Sequence, residues 1–297
     1  MDLWIPITLA AAFCQNLRSA LQKGLKRTLS TWGATASRFV FAAPFAVTLP
    51  FIVAGMDHTS LPVPQYDFYV YGIMGGLAQI VATGLLLHLF SRANFAAATA
   101  FTKTEPIQTA LIGIVLLGDT ISLPVGFAIL ISLIGVIIVS VSRTPGSRWR
   151  LDENVWIGIA SGALFGLSSV AFRGASLSLP EGTVLLRAAT TLAFVTLFQS
   201  VAISLWLLLR EKGQLILLLK AWRVAGLVGL VGMLGSLAWY TAFTLQNAAH
   251  VRALGQVEVI FTIAASILFF RETISLREIA GILLMAIGVV GLVLLTG

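Results

Sequence analysis

From residue 4 to residue 296 the chain is a succession of apolar runs, each about 20 residues long and parted from the next by a few polar positions. A helix of that length spans the roughly 30 Å of hydrocarbon in a bilayer. Within hydrocarbon every backbone N–H and C=O must find a partner in the chain, so a spanning segment is a helix or part of a closed barrel. A barrel needs short stretches that alternate apolar and polar, and these are absent. The expected class is therefore an all-α polytopic membrane protein. Composition agrees, since 58% of the 297 residues are hydrophobic and 10% are charged, whereas a soluble domain carries about 25% charged residues.

Ten transmembrane helices are expected, over 4–25, 32–54, 67–90, 95–117, 121–142, 155–178, 183–209, 222–246, 249–270 and 275–296. The longest polar stretch, 142–154 (SRTPGSRWRLDEN), falls at mid-chain. It divides the chain into 1–142, a cytoplasmic linker at 143–154, and 155–297. Loops after odd-numbered spans carry Lys26, Arg27, Arg92, Arg143, Arg148, Arg150, Arg210, Lys212, Lys220, Arg223, Arg271 and Arg277, twelve of the nineteen cations. Loops after even-numbered spans carry none, and hold Asp57, His58, Asp119 and Glu181. The positive-inside rule places the odd loops in the cytoplasm and both termini outside it. Arg252, just inside the outer end of span 9, is the exception. The same basic loops account for the net charge of +7, so nucleic acid is not an expected partner.

The chain also repeats itself. Sliding it by 153 positions lays Asn94 on Asn247, Glu105 on Glu258, Thr109 on Thr262, Asp119 on Glu272, and TISL at 120–123 on TISL at 273–276. Lys23-Gly24 followed by Arg38 echoes Arg173-Gly174 followed by Arg187 at a slightly smaller offset. Five spans per half is an odd number, so the halves cross the membrane in opposite senses, as two inverted five-helix repeats. Such repeats build a midplane site and expose it alternately to the two faces.

These features resemble the drug/metabolite transporter superfamily, and within it the ten-span EamA-type exporters. The resemblance covers nearly the whole chain. It rests on the five-plus-five repeat and on a pattern at the end of each half: Glu105, Asp119-Thr120-Ile121-Ser122-Leu123 and Gly135, then Glu258, Glu272-Thr273-Ile274-Ser275-Leu276 and Gly288. Family members commonly carry Pro after the inner Glu. Pro106 fits, and Val259 departs from it. The resemblance implies a secondary active transporter, an exporter or exchanger of a small organic metabolite such as an amino acid, in the cytoplasmic (inner) membrane.

Span 1 carries a polar stripe. Gln15, Arg18, Ser19, Gln22 and Lys26 recur at helical spacing on one face, with Asn16 and Lys23 on its flanks. Polar groups at this depth face a cavity or a partner helix rather than lipid, which makes Gln15, Arg18, Ser19 and Gln22 candidate substrate contacts. Arg38, Thr102, Arg187, Trp239 and Tyr240 join them. Lys23 and Arg173, related by the inversion, are candidate gate residues; the competing reading has Lys23 snorkelling to headgroups. Glu105 and Glu258 reach mid-bilayer depth and are candidates for proton coupling or a central ion pair, against a plain role as polar glue between helices. Lys103, two positions from Glu105, points elsewhere on an ideal helix. Interior cations outnumber interior acids, which favours a substrate bearing a carboxylate or phosphate.

Other functions find less support. The G-x-x-x-x-G-K phosphate loop of an ATP-driven pump is absent. No nucleophile–base pair, His-x-x-x-His or paired-aspartate motif suggests an intramembrane enzyme, a metal site or a cofactor. A non-transporting receptor or assembly factor would have no use for inverted duplication. The expected partners are a small-molecule substrate, the lipid bilayer and protons, for a monomer or homodimer.

Overall fold

The computed structural model describes residues 2–92, 102–142, 153–261 and 275–296, with backbone alone at 90–92 and 140–142. Helices dominate throughout: α1 Trp4–Leu25, α2 Thr31–Val40, α3 Ala43–Asp57, α4 Tyr66–Arg92, α5 Glu105–Leu117, α6 Leu123–Ser142, α7 Glu153–Leu177, α8 Val184–Arg210, α9 Gln214–Lys220, α10 Trp222–Leu245, α11 Ala248–Gly255 and α12 Leu276–Thr296. A 3₁₀ turn, Thr102–Thr104, precedes α5. Among the described residues six segments are long and apolar enough to cross a membrane: 31–57, 66–89, 153–177, 184–210, 222–245 and 276–296. Their outer faces present large aliphatic side chains such as Leu209, Leu276 and Leu294, the pattern expected where lipid is the solvent. Asn94, Thr262, Ser266, Glu272, the second Thr-Ile pair of the repeat, and 143–152 of the expected linker lie outside the described residues. The linker's last two positions, Glu153 and Asn154, already belong to α7.

Three expected spans are interrupted. The second divides at Phe41–Ala42 into α2 and α3, because Pro44 in the first turn of α3 lacks an N–H and its ring crowds the carbonyl four residues back. The fourth passes from the 3₁₀ turn into α5, whose first residues are Glu105 and Pro106. The ninth stops at Gly255, turns at Gln256–Val257, and becomes helical again over 258–261. Both interior glutamates thus stand at the first position of a half-helix. Pro106 accounts for the first break. The second occurs although Val259 replaces proline, so the interruption is common to both halves after all.

Helix partners follow the repeat. Helix α1 packs on α10 and α4 packs on α7. Exchanging the halves maps α1 onto α7 and α4 onto α10, so these are one contact made twice. Helices α3 and α8, and α6 and α12, each pair with their own counterpart. The last pair meets backbone to backbone. A Cβ on Gly135 would strike the Met285 amide nitrogen, and one on Gly288 the Ser132 amide nitrogen. Helix α5 ends on Gly118, at φ 65°, with the Asp119 N–H closing back on the Gly113 carbonyl at 3.2 Å. A left-handed residue there is natural for glycine. Ser275 and Glu278 form a capping box at the start of α12, each side chain bonded to the other's backbone N–H.

Candidate functional site

The polar stripe of α1 turns inward. Gln15 Nε2 donates to Glu258 Oε2 at 2.8 Å, Arg18 donates to Gln22 Oε1 at 2.9 Å, and Gln22 Nε2 donates to the Ala34 carbonyl at 3.0 Å. One turn further on, Lys26 donates to Thr31 Oγ1 and to the Leu87 carbonyl. Asn16, beside the stripe, donates to the backbone carbonyl of Glu258. Ser19 lies half-buried on the same helix, whereas Lys23 is exposed.

At the centre two ion pairs cross between the broken segments. Lys103, in the turn before α5, pairs with Glu258. Arg252, on α11, lies with its Nε 2.9 Å from Glu105 Oε1. Each carboxylate is therefore held by the cation that precedes the other carboxylate. Each also stands where the backbone passes from a turn into helix, Glu105 after the 3₁₀ turn and Glu258 after Gln256–Val257. Arg252 is fixed further by Ser169 Oγ at 2.7 Å and by the Trp239 ring, 4.4 Å from its guanidinium carbon.

The two acids differ in how fully they are bonded. Glu258 accepts from both Lys103 and Gln15. The single proton on Arg252 Nε points to Ser169, so its contact with Glu105 is one of charge, and Glu105 Oε1 accepts no hydrogen bond among the described residues. Gln15, Lys103, Glu105, Trp239, Arg252 and Glu258 enclose a cavity of about 20 Å³. That is room for one or two waters.

A second cavity, of about 10 Å³, lies beside Arg38, Gln79, Gln199, Ser236 and Tyr240. Arg38 donates to Thr83 Oγ1 at 3.3 Å and to Ser236 Oγ at 3.4 Å. Gln199 bridges to Gln79 at 2.9 Å. Tyr240 stacks obliquely on Phe172, with ring centroids 4.5 Å apart. Thr102 is buried in the 3₁₀ turn. Arg187, in the first turn of α8, lines neither cavity, and its Nε has no partner among the described residues.

Arg173, near the end of α7, donates through Nη1 to the carbonyls of Phe243 and Gln246, both at 2.6 Å, and so ties down the end of α10. Its Nε lies 3.9 Å from Asp119 Oδ1 in the α5–α6 connection. Burial raises the Asp119 carboxyl above its usual value, with Arg173 opposing the shift. His250 is buried nearby, and neither ring nitrogen is bonded among the described residues.

Lys103 and Arg252 are the central residues that hydropathy and repeat position leave out. Lys103 lines the same cavity as Glu105, and its ion-pair partner is the opposite glutamate, Glu258. Arg252, the exception to the charge asymmetry of the loops, owes its place to Glu105. Their signal in the sequence is that each half places one cation shortly before its interior acid, by two residues in one half and six in the other.

The sequence profile of the EamA-like transporter family matches twice, over residues 2–141 and 155–294. No curated protein matches the chain. A solved crystal structure, described only as that of a protein, superposes with a TM-score of 0.74 over 99% of this chain and 97% of its own, at 15% identity. At that identity it speaks for the fold alone.

Proposed function

The chain belongs to the EamA-like transporter family, and we propose that this integral, multi-pass membrane protein is a secondary transporter, an exporter or exchanger, of a small organic metabolite bearing a carboxylate. The proposal includes ten spans in two inverted repeats, the cytoplasmic membrane as location, both termini outside the cytoplasm, and alternating access between the halves. The observation that carries it is the reciprocal pair Lys103–Glu258 and Arg252–Glu105. Each bond joins one repeat to the other at a helix break, so relative motion of the halves must stretch or exchange both. A substrate carboxylate competes for the cations that hold these acids, which couples occupancy to that motion. Arg173, with the two α10 carbonyls and Asp119, acts as the outer gate in this reading. Protons are the candidate coupling ion, and Glu105, the acid with an oxygen still unbonded, is the candidate carrier.

The test is flux of labelled carboxylates in proteoliposomes with and without a pH gradient. Wild type should accelerate its flux when the gradient is imposed. Glu105→Gln should exchange substrate but lose at least ten-fold of that acceleration. Unchanged flux and unchanged pH response in both Glu105→Gln and Glu258→Gln would end the proton-carrier role.

A further inference from the structure

Arg18 and Arg38 stand apart from the two crossed pairs. They are only 4% and 6% exposed. Arg18 bonds the neutral amide of Gln22, and Arg38 bonds two hydroxyls at the long end of the hydrogen-bond range. Neither has a carboxylate within ion-pair distance among the described residues. Each guanidinium carries five donors in a planar fork suited to carboxylate or phosphate, and among the described residues Arg18 makes one side-chain hydrogen bond and Arg38 two.

The two side chains approach one place from two helices. A Cβ on Gly232 of α10 would lie 3.2 Å from Arg18 Cδ and 3.5 Å from Arg38 Cγ, so both stems run over the same bare glycine. Arg38 lies in the field of Arg18 and of Arg252, and Arg18 lies in the field of Glu258, which favours its charge, and of Arg252, which opposes it. Around Arg38 the walls are neutral and polar, formed by Gln79, Gln199, Thr196, Ser236 and Tyr240. Gln199 is already engaged with Gln79 and with the Gly76 carbonyl.

Charge at the centre does not balance. Among the described residues Arg18, Arg38, Lys103 and Arg252 face Glu105 and Glu258, which leaves a surplus of two positive charges. Unpaired buried charge is strongly unfavourable. A zwitterion would leave the surplus untouched, and a monoanion would halve it. A dianion cancels it. We propose that Arg18 and Arg38 form the anion subsite of the transport pathway and that the substrate is a small dianion, either a dicarboxylate or a phosphate. This deepens the transporter reading above and rests on it. The adjoining cavity, at about 10 Å³, is too small for such a ligand, so binding requires the Gln79–Gln199 bridge and the α10 wall to draw apart.

The experiment is counterflow exchange by the full-length protein in proteoliposomes, with four probes: succinate, inorganic phosphate, butyrate and alanine. Succinate or phosphate should exchange at least ten-fold faster than butyrate or alanine, and which of the two is faster separates a pair of carboxylates from a single phosphate centre. Arg38→Gln removes one unit of the surplus. It should lower dianion exchange at least ten-fold and bring butyrate level with it. Arg38→Lys keeps the charge and loses the fork, so it should slow exchange while keeping the preference for dianions. Should Arg38→Gln fail to fold, the wild-type ranking together with Arg38→Lys decides. Butyrate or alanine exchanging as fast as both dianions in wild type overturns the charge-matched site and leaves the transport reading intact. Silence with all four probes, from liposomes shown to contain folded protein, counts against both.

Discussion

The Arg252–Glu105 pair offers the sharpest energetic test of the central geometry. Nitrogen and oxygen are 2.9 Å apart, and the side chains are 6% and 15% exposed. At an effective dielectric of about 20, Coulomb's law gives roughly 6 kcal/mol of gross attraction. Desolvation of both groups removes much of that, and the lack of a hydrogen bond on Glu105 Oε1 removes more, leaving a coupling of about 2–3 kcal/mol. The single variants should not be equal. Arg252→Met strips Glu105 of its ion-pair partner, frees Ser169, and abolishes the cation over Trp239, at about 3–5 kcal/mol. Glu105→Gln leaves Arg252 with Ser169 and Trp239, and should cost about 1–2 kcal/mol. Denaturant-induced unfolding of all four proteins in detergent micelles closes the double-mutant cycle. The double variant should fall short of the summed single losses by about 2–3 kcal/mol. Additivity to within about 0.5 kcal/mol would refute the pairing.

Two further outcomes follow from the packing and the outer connection. Gly288→Ala should destabilise by about 1–3 kcal/mol, read as a lower Tm, since its Cβ meets the Ser132 amide and lies 2.7 Å from the Ala128 carbonyl, atoms that move only with the backbone. Gly291→Ala on the same helix, whose Cβ meets Ala128 Cβ at 3.8 Å, should be near neutral; equal losses in the two would show that α6 and α12 do not meet in this register. Burial raises the Asp119 carboxyl, so the folded state takes up this proton more readily than the unfolded chain. Its stabilising effect is full below the ordinary carboxylate value and is lost as pH rises through the raised one. Asp119→Asn should therefore flatten that segment of a Tm-against-pH curve, and an unchanged curve would place the carboxyl in water.

The sequence speaks plainly wherever a residue's role depends on its own segment. Long apolar runs become helices because a bilayer accepts little else, and the α1 stripe turns inward because Arg18 and Gln22 could not face lipid. The positions of both glutamates follow from the internal echo. Interruptions are harder to read, since Phe41–Ala42 lies in an unbroken apolar run and the polar residues within 102–105 and 256–258 do not by themselves say that a helix breaks. Pro44 and Pro106 mark two of them in retrospect, but the third has no proline. There the chain stops at Gly255, where a Cβ would lie 2.5 Å from the Trp239 ring, so the break depends on a tertiary neighbour. The crossing of Lys103 and Arg252 to opposite acids is likewise invisible to a scan of one helix, because it arises only when the repeats are placed face to face.

Glu105 and Glu258 occupy matching positions of the sequence repeat, yet their surroundings make them unequal. Glu258 receives a lysine and a glutamine side chain, and Asn16 holds its backbone carbonyl. Among the described residues Glu105 has one ion-pair contact, to Arg252, and an oxygen without a hydrogen bond. The cause lies in where each half carries its cation. Two residues before Glu105, Lys103 is a flexible ammonium that reaches across to Glu258. Six residues before Glu258, Arg252 is braced by Ser169, Trp239 and Phe243, so its planar head cannot turn to give Glu105 a full share of its donors. An alternating-access cycle built on two identical acids would bind and release protons equally on both sides. On the transport reading proposed above, with one acid saturated and the other under-bonded, Glu258 would anchor the halves while Glu105 would answer to the contents of the cavity.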